Sequence, residues 1–190
     1  KENQLKKPYT YFDDKNFVDL FDRIRGSGKQ IGIAIADIDY VPFFEDLGVD
    51  FYKVIRDDIT NKDLLLNLFK TNKEIYVSTG MASEKDILDF KIFATAKAED
   101  FPHLNKSIKL VHTQLSNSLS DSNLKSLLEM KRYNFEVAYG HHCEDVLSIF
   151  LSLCYDPSSL FFYVKGEKDL QYPDDKHAVK ISVVKSLIEK

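Results

Sequence analysis

The sequence predicts an α/β fold in which a parallel sheet is covered by helices. Apolar, β-branched segments of strand length alternate six times with helical segments, and short connections join them. The clearest unit is residues 51–82, FYKVIRDDITNKDLLLNLFKTNKEIYVSTGMA. It contains a strand, a helix and a second strand within about thirty residues, which is the size of one parallel crossover.

Each element is predicted from the spacing of its apolar residues. Strands are predicted at residues 30–37, 51–55, 75–77, 108–115, 135–142 and 160–166. Helices are predicted at residues 17–24, 41–48, 64–69, 84–92, 124–130, 143–155 and 178–188. Gly26 and Gly28 end the first helix, and Ser83 with Asp86 has the outline of a capping box at the start of a later one.

The number of units predicts an unusual architecture. A closed barrel of eight (β/α) units usually needs about 250 residues, whereas this chain has 190 residues and six units. The sheet is therefore either open and doubly wound, or a TIM-barrel-like parallel (β/α) repeat that forms an incomplete or variant barrel. We expect residues 1–190 to form a single domain, because a hydrophobic fraction of 44% suits one core at this length.

Composition excludes several classes of protein. A formal net charge of −4 disfavours non-specific nucleic-acid binding, which needs a basic surface. No apolar run reaches the roughly eighteen residues of a membrane span, and the opening KENQLKKP lacks the apolar segment of a signal peptide. Cys143 and Cys154 are predicted on one helix, too far apart for a disulfide, which favours the reducing cytoplasm. The chain begins with lysine, which leaves open that it is a piece of a longer protein.

Polar side chains near the ends of two strands predict an anion site. Parallel α/β folds bind ligands at the carboxyl ends of their strands, where Lys53, Arg56 and Asp58 follow one strand and Ser78 follows the next. Lys53 and Arg56 supply positive charge, and Ser78 with the amides near Gly80 supplies hydrogen bonds. The alternative is that Arg56 forms a surface ion pair with a neighbouring aspartate.

The histidines give weaker support for a metal. His141 and His142 are adjacent on a predicted strand, so their side chains point to opposite faces and do not readily share one ion. A catalytic metal generally takes three protein ligands and keeps an open position. We therefore expect no metal, with His142 as the weak candidate ligand and otherwise a hydrogen-bonded pocket residue.

A set of motifs between residues 37 and 174 carries a family resemblance. LGVDFYKV, DDITN, VSTGMAS, KLVHT, AYGHHC and YPDD occur in this order. The set resembles the N-acylneuraminate (sialic acid) synthase family, whose (β/α)₈ barrels condense phosphoenolpyruvate with an N-acylated sugar. The resemblance favours the barrel over the doubly wound sheet and implies a role in nonulosonate or other carbohydrate biosynthesis.

The resemblance also implies roles for five residues. Lys53 and Ser78 match positions that hold the phosphate of phosphoenolpyruvate, and Asp58 and Asp174 match acidic positions that meet the sugar. His142 matches one of two histidines that hold a divalent metal, normally Mn²⁺. Manganese or another divalent metal is therefore a cofactor only if that site survives.

Several family residues are replaced. Val164 stands where the resemblance implies the second metal histidine. Arg56 and Gly140 stand where it implies serines. An asparagine and a tyrosine are implied at the positions of Leu115 and Asn117. No segment matches the family's first two strands, which bring a catalytic glutamate and another phosphate lysine.

Three functions remain open. The leading hypothesis is a synthase-like module that binds an acidic sugar, phosphoenolpyruvate or a similar phosphate-bearing ligand but lacks a complete condensation apparatus, with no catalytic residue assigned. The first alternative is an active phosphoenolpyruvate-dependent synthase, a C–C bond-forming transferase, completed by a further segment or chain. The second is a repurposed transferase that uses Asp58 or Asp174 as its carboxylate. We also expect residues 1–13, a second copy in a homodimer or a partner chain to cover the open sheet edge.

Overall fold

A computed structural model of the chain describes residues 12–168 and 174–188, without the side chains of Arg56 and Asp57. Six strands form one parallel sheet. They are β1 (Gly32–Ile35), β2 (Phe51–Val54), β3 (Glu74–Ser78), β4 (Ile108–Thr113), β5 (Glu136–Gly140) and β6 (Leu160–Phe161). A separate two-stranded parallel sheet pairs β7 (Val164–Lys165) with β8 (Val179–Lys180).

The strand order decides between the two predicted architectures. Each strand of the main sheet pairs with the strand that follows it in the chain, in the order β1-β2-β3-β4-β5-β6. A doubly wound sheet reverses direction part-way along its strand order, whereas a barrel continues around one axis. The prediction of an incomplete TIM-type barrel is therefore confirmed, and the open doubly wound sheet is excluded.

Helices precede, connect and follow the strands. They are α1 (Asp14–Arg25), α2 (Val41–Asp46), α3 (Lys62–Phe69), α4 (Glu84–Lys97), α5 (Leu104–Ser107), α6 (Ser126–Lys131), α7 (Leu147–Leu153) and α8 (Ile181–Ile188). Ser83 and Asp86 form the predicted capping box, in which each side chain accepts a hydrogen bond from the backbone N–H of the other residue. Among the described helices, none is long and apolar enough to cross a bilayer.

The alternation of side chains along the strands separates two environments. Tyr52, Ile75 and Leu110 point to the helices and belong to the main buried core. On the opposite face, Tyr76 packs between Phe51 and Phe161, with ring centroids 5.4 and 4.9 Å apart respectively. This second cluster lies below the carboxyl ends of the strands, so it forms the floor of the region where the site was predicted.

The structure departs from the prediction at the C-terminal end. The strand predicted at residues 160–166 is divided, because the N–H of Val179 donates to the carbonyl of Tyr163 at 2.8 Å and draws the second half into the small sheet. The helix predicted at residues 178–188 consequently starts at Ile181. The helix predicted at 143–155 starts at Leu147, so Cys143 precedes it. Both cysteines are free.

The order of the strands also leaves two edges. Within the described residues, β1 pairs with β2 alone and β6 pairs with β5 alone in the main sheet. An exposed edge offers unpaired N–H and C=O groups to other chains, so we expect the edge at β1 to be covered. Covering by another part of the chain would slow amide exchange along β1, and covering by a second copy would appear as self-association. Hydrogen exchange with sedimentation velocity tests this expectation. A homogeneous monomer whose β1 amides exchange rapidly would contradict it.

Candidate anion-binding site at the carboxyl ends of the strands

A cavity of about 460 Å³ lies at the carboxyl ends of the main strands. Four of the predicted residues line it, namely Lys53, Ser78, His142 and Asp174. They come from the strand β2, the end of β3, the segment after β5 and the segment before β8. The fold therefore brings together side chains that are up to 121 residues apart in the sequence.

The register of the sheet explains why Lys53 and Ser78 are neighbours. Lys53 pairs with Tyr76, and Ser78 lies two residues further along β3 on the same face. Thr113 reaches the same rim from β4, where Ser78 pairs with Val111, two residues before Thr113 and on the same face. Three adjacent strands thus present an ammonium group and two hydroxyl groups to one cavity, which suits an anionic ligand.

Lys53 is a positive charge in a half-buried position. Its Nζ lies 4.9 Å from the centroid of the Phe161 ring, a cation–π contact. Burial lowers the pKa of Lys53 below the usual lysine value. Among the described residues, no carboxylate forms an ion pair with Lys53, so none of them neutralises this charge.

His142 forms an aromatic cluster with His177 and Tyr163. The two imidazole rings stack with centroids 4.6 Å apart and planes 16° apart, and Tyr163 meets both rings edge-on. Burial, followed by the positive charge of His177 and of Lys53, lowers the pKa of His142 to about 4. Burial also lowers the pKa of His177. The ring of His142 is therefore neutral at pH 7.

The stacked rings do not fit the divalent metal that the resemblance implies. An imidazole binds a metal through a lone pair in the plane of its ring, so two nearly parallel stacked rings do not direct their nitrogens at one ion. In residues 12–168 and 174–188, no group of three or more histidine, cysteine or acidic side chains could hold a metal. The second histidine that the resemblance implies is Val164 here, so His142 lacks that partner for a metal.

His141 packs against α7, whereas His142 lines the cavity; both follow the end of β5 at Gly140 and do not lie on the strand that was predicted to include them. His141 is 1% exposed, and its Nδ1 lies 2.8 Å from the hydroxyl of Ser148 in α7. Burial, followed by the positive charge of His177, lowers the pKa of His141 to about 4. It is a core residue under α7 and does not line the cavity.

The pKa of His141 predicts acid sensitivity. The unfolded chain binds the proton near the ordinary histidine value, so stability falls as the pH drops from about 6.5 towards 4. Because the unfolded chain takes up a proton at His141 that the folded chain does not, we expect the free energy of unfolding to be about 1 to 2 kcal/mol lower at pH 5 than at pH 7. Urea unfolding of the wild type and His141→Gln at both pH values measures the difference. An equal pH dependence in the two proteins would contradict this origin.

The remaining predicted residues are placed differently. Asp58 lies in the turn Arg56–Thr60 after β2, where its carboxylate accepts a hydrogen bond from the side-chain amide of Asn61 at 3.2 Å. It does not line the cavity, and its contact with a sugar stays a prediction. The side chain of Arg56 lies outside the described part of the chain, so its predicted anion contact is a prediction as well.

Nearly the whole chain matches a family of sequences. The model of the NeuB family covers residues 4–190. The chain belongs to the NeuB family. This confirms the resemblance to the sialic acid synthases that the motifs indicated.

Named NeuB relatives are longer than this chain. It is 24% identical over 155 residues to the N,N'-diacetyllegionaminic acid synthase of Campylobacter jejuni serotype O:2, matching 80% of this chain and 45% of the relative. It is 23% identical over 154 residues to the pseudaminic acid synthase of the same strain, at 80% and 43% coverage. The chain thus spans less than half the length of these two synthases.

Solved structures agree in fold. The sialic acid synthetase of Leptospira borgpetersenii superposes with a TM-score of 0.82 at 19% identity, over 94% of this chain and 61% of that one. A truncated 3-deoxy-D-arabino-heptulosonate 7-phosphate synthase of Thermotoga maritima gives a TM-score of 0.77 at 15% identity, over 95% and 71%. This NeuB chain therefore has the fold of part of such a barrel.

Thr113 and His177 are among the cavity residues that were not predicted from the sequence. Thr113 lies two positions beyond Val111 on the same strand, so the two-residue period of β4 could have indicated it beside Ser78. His177 follows YPDD and has no motif or period that links it to His142. Its position depends on the pairing of β8 with β7, which the sequence did not predict.

Proposed function

We propose that this chain is a nonulosonate synthase-like module that binds an acidic sugar or a phosphate-bearing small molecule. Lys53 supports the proposal most directly, because it is a half-buried cation that lines the cavity and has no carboxylate partner among the described residues. An anionic ligand beside it would supply the missing counter-charge. Ser78, at the end of the adjacent strand, offers a hydroxyl to the same ligand.

The names of the relatives narrow the ligand class. The relatives and one structural neighbour are named as synthases of legionaminic, pseudaminic and N-acetylneuraminic acids, which are acidic sugars. A cavity of about 460 Å³ is within the usual size range of small-molecule sites. Phosphoenolpyruvate and a nine-carbon sugar acid are thus the first ligands to test.

Condensation by this chain alone is not part of the proposal. Joining phosphoenolpyruvate to an aldehyde needs groups that hold the phosphate, a Lewis acid on the carbonyl and a group that moves protons. Lys53 and Ser78 suit the first task, whereas the stacking of His142 on His177 does not suit a metal Lewis acid. We therefore infer binding without turnover.

The second candidate is an active synthase completed by a further segment or by another chain. It is favoured by the two sheet edges at β1 and β6 within the described residues. It is also favoured by relatives about twice as long as the matched part of this chain. Added strands would supply the metal ligands and the proton-transfer group that Lys53, Ser78 and His142 do not provide.

Calorimetry and a phosphate-release assay together test the proposal. We expect phosphoenolpyruvate and N-acetylneuraminate each to bind the chain, with no phosphate released when phosphoenolpyruvate, N-acetylmannosamine and Mn²⁺ are combined. Phosphate release would support the second candidate over the first. Failure of both ligands to bind would show that the cavity is not an anion site.

A further inference from the structure

We propose that His177 is a ligand-binding residue that holds a hydroxyl group of a hydroxylated acid whose acidic group lies at Lys53. This inference rests on the proposed function and adds to it the class of ligand and its orientation. His177 lines the same cavity as Lys53, on the segment that leads into β8.

The observation that supports this role is an unpaired polar atom. His177 is only 8% exposed, and its Nε2 has no hydrogen-bond partner among the described residues. The carboxylate oxygen Oδ1 of Asp174 lies 3.9 Å from this nitrogen, which is too far for a hydrogen bond. Since a buried nitrogen without a partner costs stability, its retention beside a cavity points to a ligand that pairs with it.

A second unpaired atom belongs to a residue that lines the same cavity. Five buried side-chain atoms lack a hydrogen-bond partner in the described part of the chain, and two belong to residues that line this cavity, Thr113 Oγ1 and His177 Nε2. Thr113 is at the end of β4 beside Ser78, whereas His177 is near Asp174. A ligand with polar groups at both ends could satisfy both atoms.

Aromatic packing holds the ring of His177 in place. It stacks on His142 at 4.6 Å between centroids and meets Tyr163 edge-on at 4.9 Å. A side chain already fixed in one orientation loses little entropy when it binds a ligand. The stack thus preorganises the imidazole of His177 for hydrogen bonding, which is a different task from holding a metal.

The chemistry of the imidazole selects the ligand group. Neutral Nε2 donates or accepts a hydrogen bond according to the tautomer, and a hydroxyl group can do either. The carboxylate of Asp174, 3.9 Å from Nε2, can accept a hydrogen bond from the same hydroxyl. The inferred ligand is a polyhydroxylated carboxylate or phosphate, with its acid at Lys53 and a hydroxyl between His177 and Asp174.

The substitution His177→Phe tests this inference, because phenylalanine keeps an aromatic ring for stacking on His142 but removes the nitrogen. Calorimetry with two probes, N-acetylneuraminate and phosphoenolpyruvate, separates the two ends of the site. We expect the variant to bind N-acetylneuraminate roughly tenfold more weakly. Phosphoenolpyruvate has no hydroxyl group, so its affinity should stay within about twofold.

His103→Phe is the matched control. His103 also has a buried Nε2 without a partner among the described residues, but it does not line the cavity. This control should bind both probes as the wild type does. His177→Asn, which restores a donor and an acceptor, should recover part of the affinity for N-acetylneuraminate.

The outcomes are distinguishable. If wild type and His177→Phe bind N-acetylneuraminate equally, the inference is wrong and the anion site stands. If His177→Phe weakens both probes equally, or lowers the melting temperature far more than His103→Phe does, His177 is structural and the inference is wrong. If the wild type binds neither probe, the proposed function fails, and this inference fails with it.

Discussion

Replacing Lys53 with methionine is expected to weaken the binding of phosphoenolpyruvate by about 50-fold, because a hydrogen bond to a charged group is worth roughly 1.5–3 kcal/mol. Methionine keeps most of the length and apolar character of the side chain beside Phe161. The loss therefore reports the charge rather than the packing. Calorimetry of both proteins at the same ionic strength measures it.

The same substitution should not destabilise the protein. Because burial lowers the pKa of Lys53, the unfolded chain binds this proton more tightly than the folded chain does. The charge therefore costs stability at every pH below its usual pKa, and stability rises as the pH climbs from the lowered value towards the usual one. We expect Lys53→Met to have an unfolding free energy equal to or above that of the wild type at pH 7.

Lys15→Met is the control for net charge. Lys15 is exposed on α1 and does not line the cavity, so its removal lowers the formal charge equally without touching the site. It should leave affinity for phosphoenolpyruvate nearly unchanged. Equal loss in the two variants would show that the ligand responds to overall charge, and a binding site at Lys53 would be excluded.

Replacing Gly140 with alanine is expected to destabilise the protein by about 3 kcal/mol, since overpacking a filled region typically costs 1–3 kcal/mol. A Cβ atom at this position would lie 2.4 Å from Thr113 Oγ1 and 3.2 Å from Val111 Cγ1. Both atoms belong to β-branched side chains on β4, which pairs with β5, so relief requires a change of rotamer in side chains whose rotamers are restricted. Urea unfolding measures the change.

Second-site substitutions identify the atom responsible. Thr113→Ala removes Oγ1, so Gly140→Ala combined with it should lose less stability than the sum of the two single changes. Thr113→Val keeps a methyl group in place of the hydroxyl and should give no such relief. Gly166→Ala is the matched control, because a Cβ there meets nothing within 4 Å. If it costs as much as Gly140→Ala, the clash with Thr113 is not the cause.

The sequence alone was sufficient for the local elements and for part of the site. Apolar periods predicted β2, α3 and β3 because each pattern depends on which side chains a single strand or helix buries. The motifs placed Lys53 and Ser78 together for a similar reason, since one crossover brings the ends of consecutive parallel strands side by side.

Only the tertiary structure decided which distant residues share the cavity. The apolar periods alone left the direction of winding open, because helices on either face of a sheet have the same period. The family resemblance favoured the barrel, and the strand order confirmed it. His177 reaches His142 only because β8 pairs with β7 rather than continuing as a helix. That pairing depends on backbone hydrogen bonds between residues far apart in the chain, and side-chain periodicity does not record such bonds.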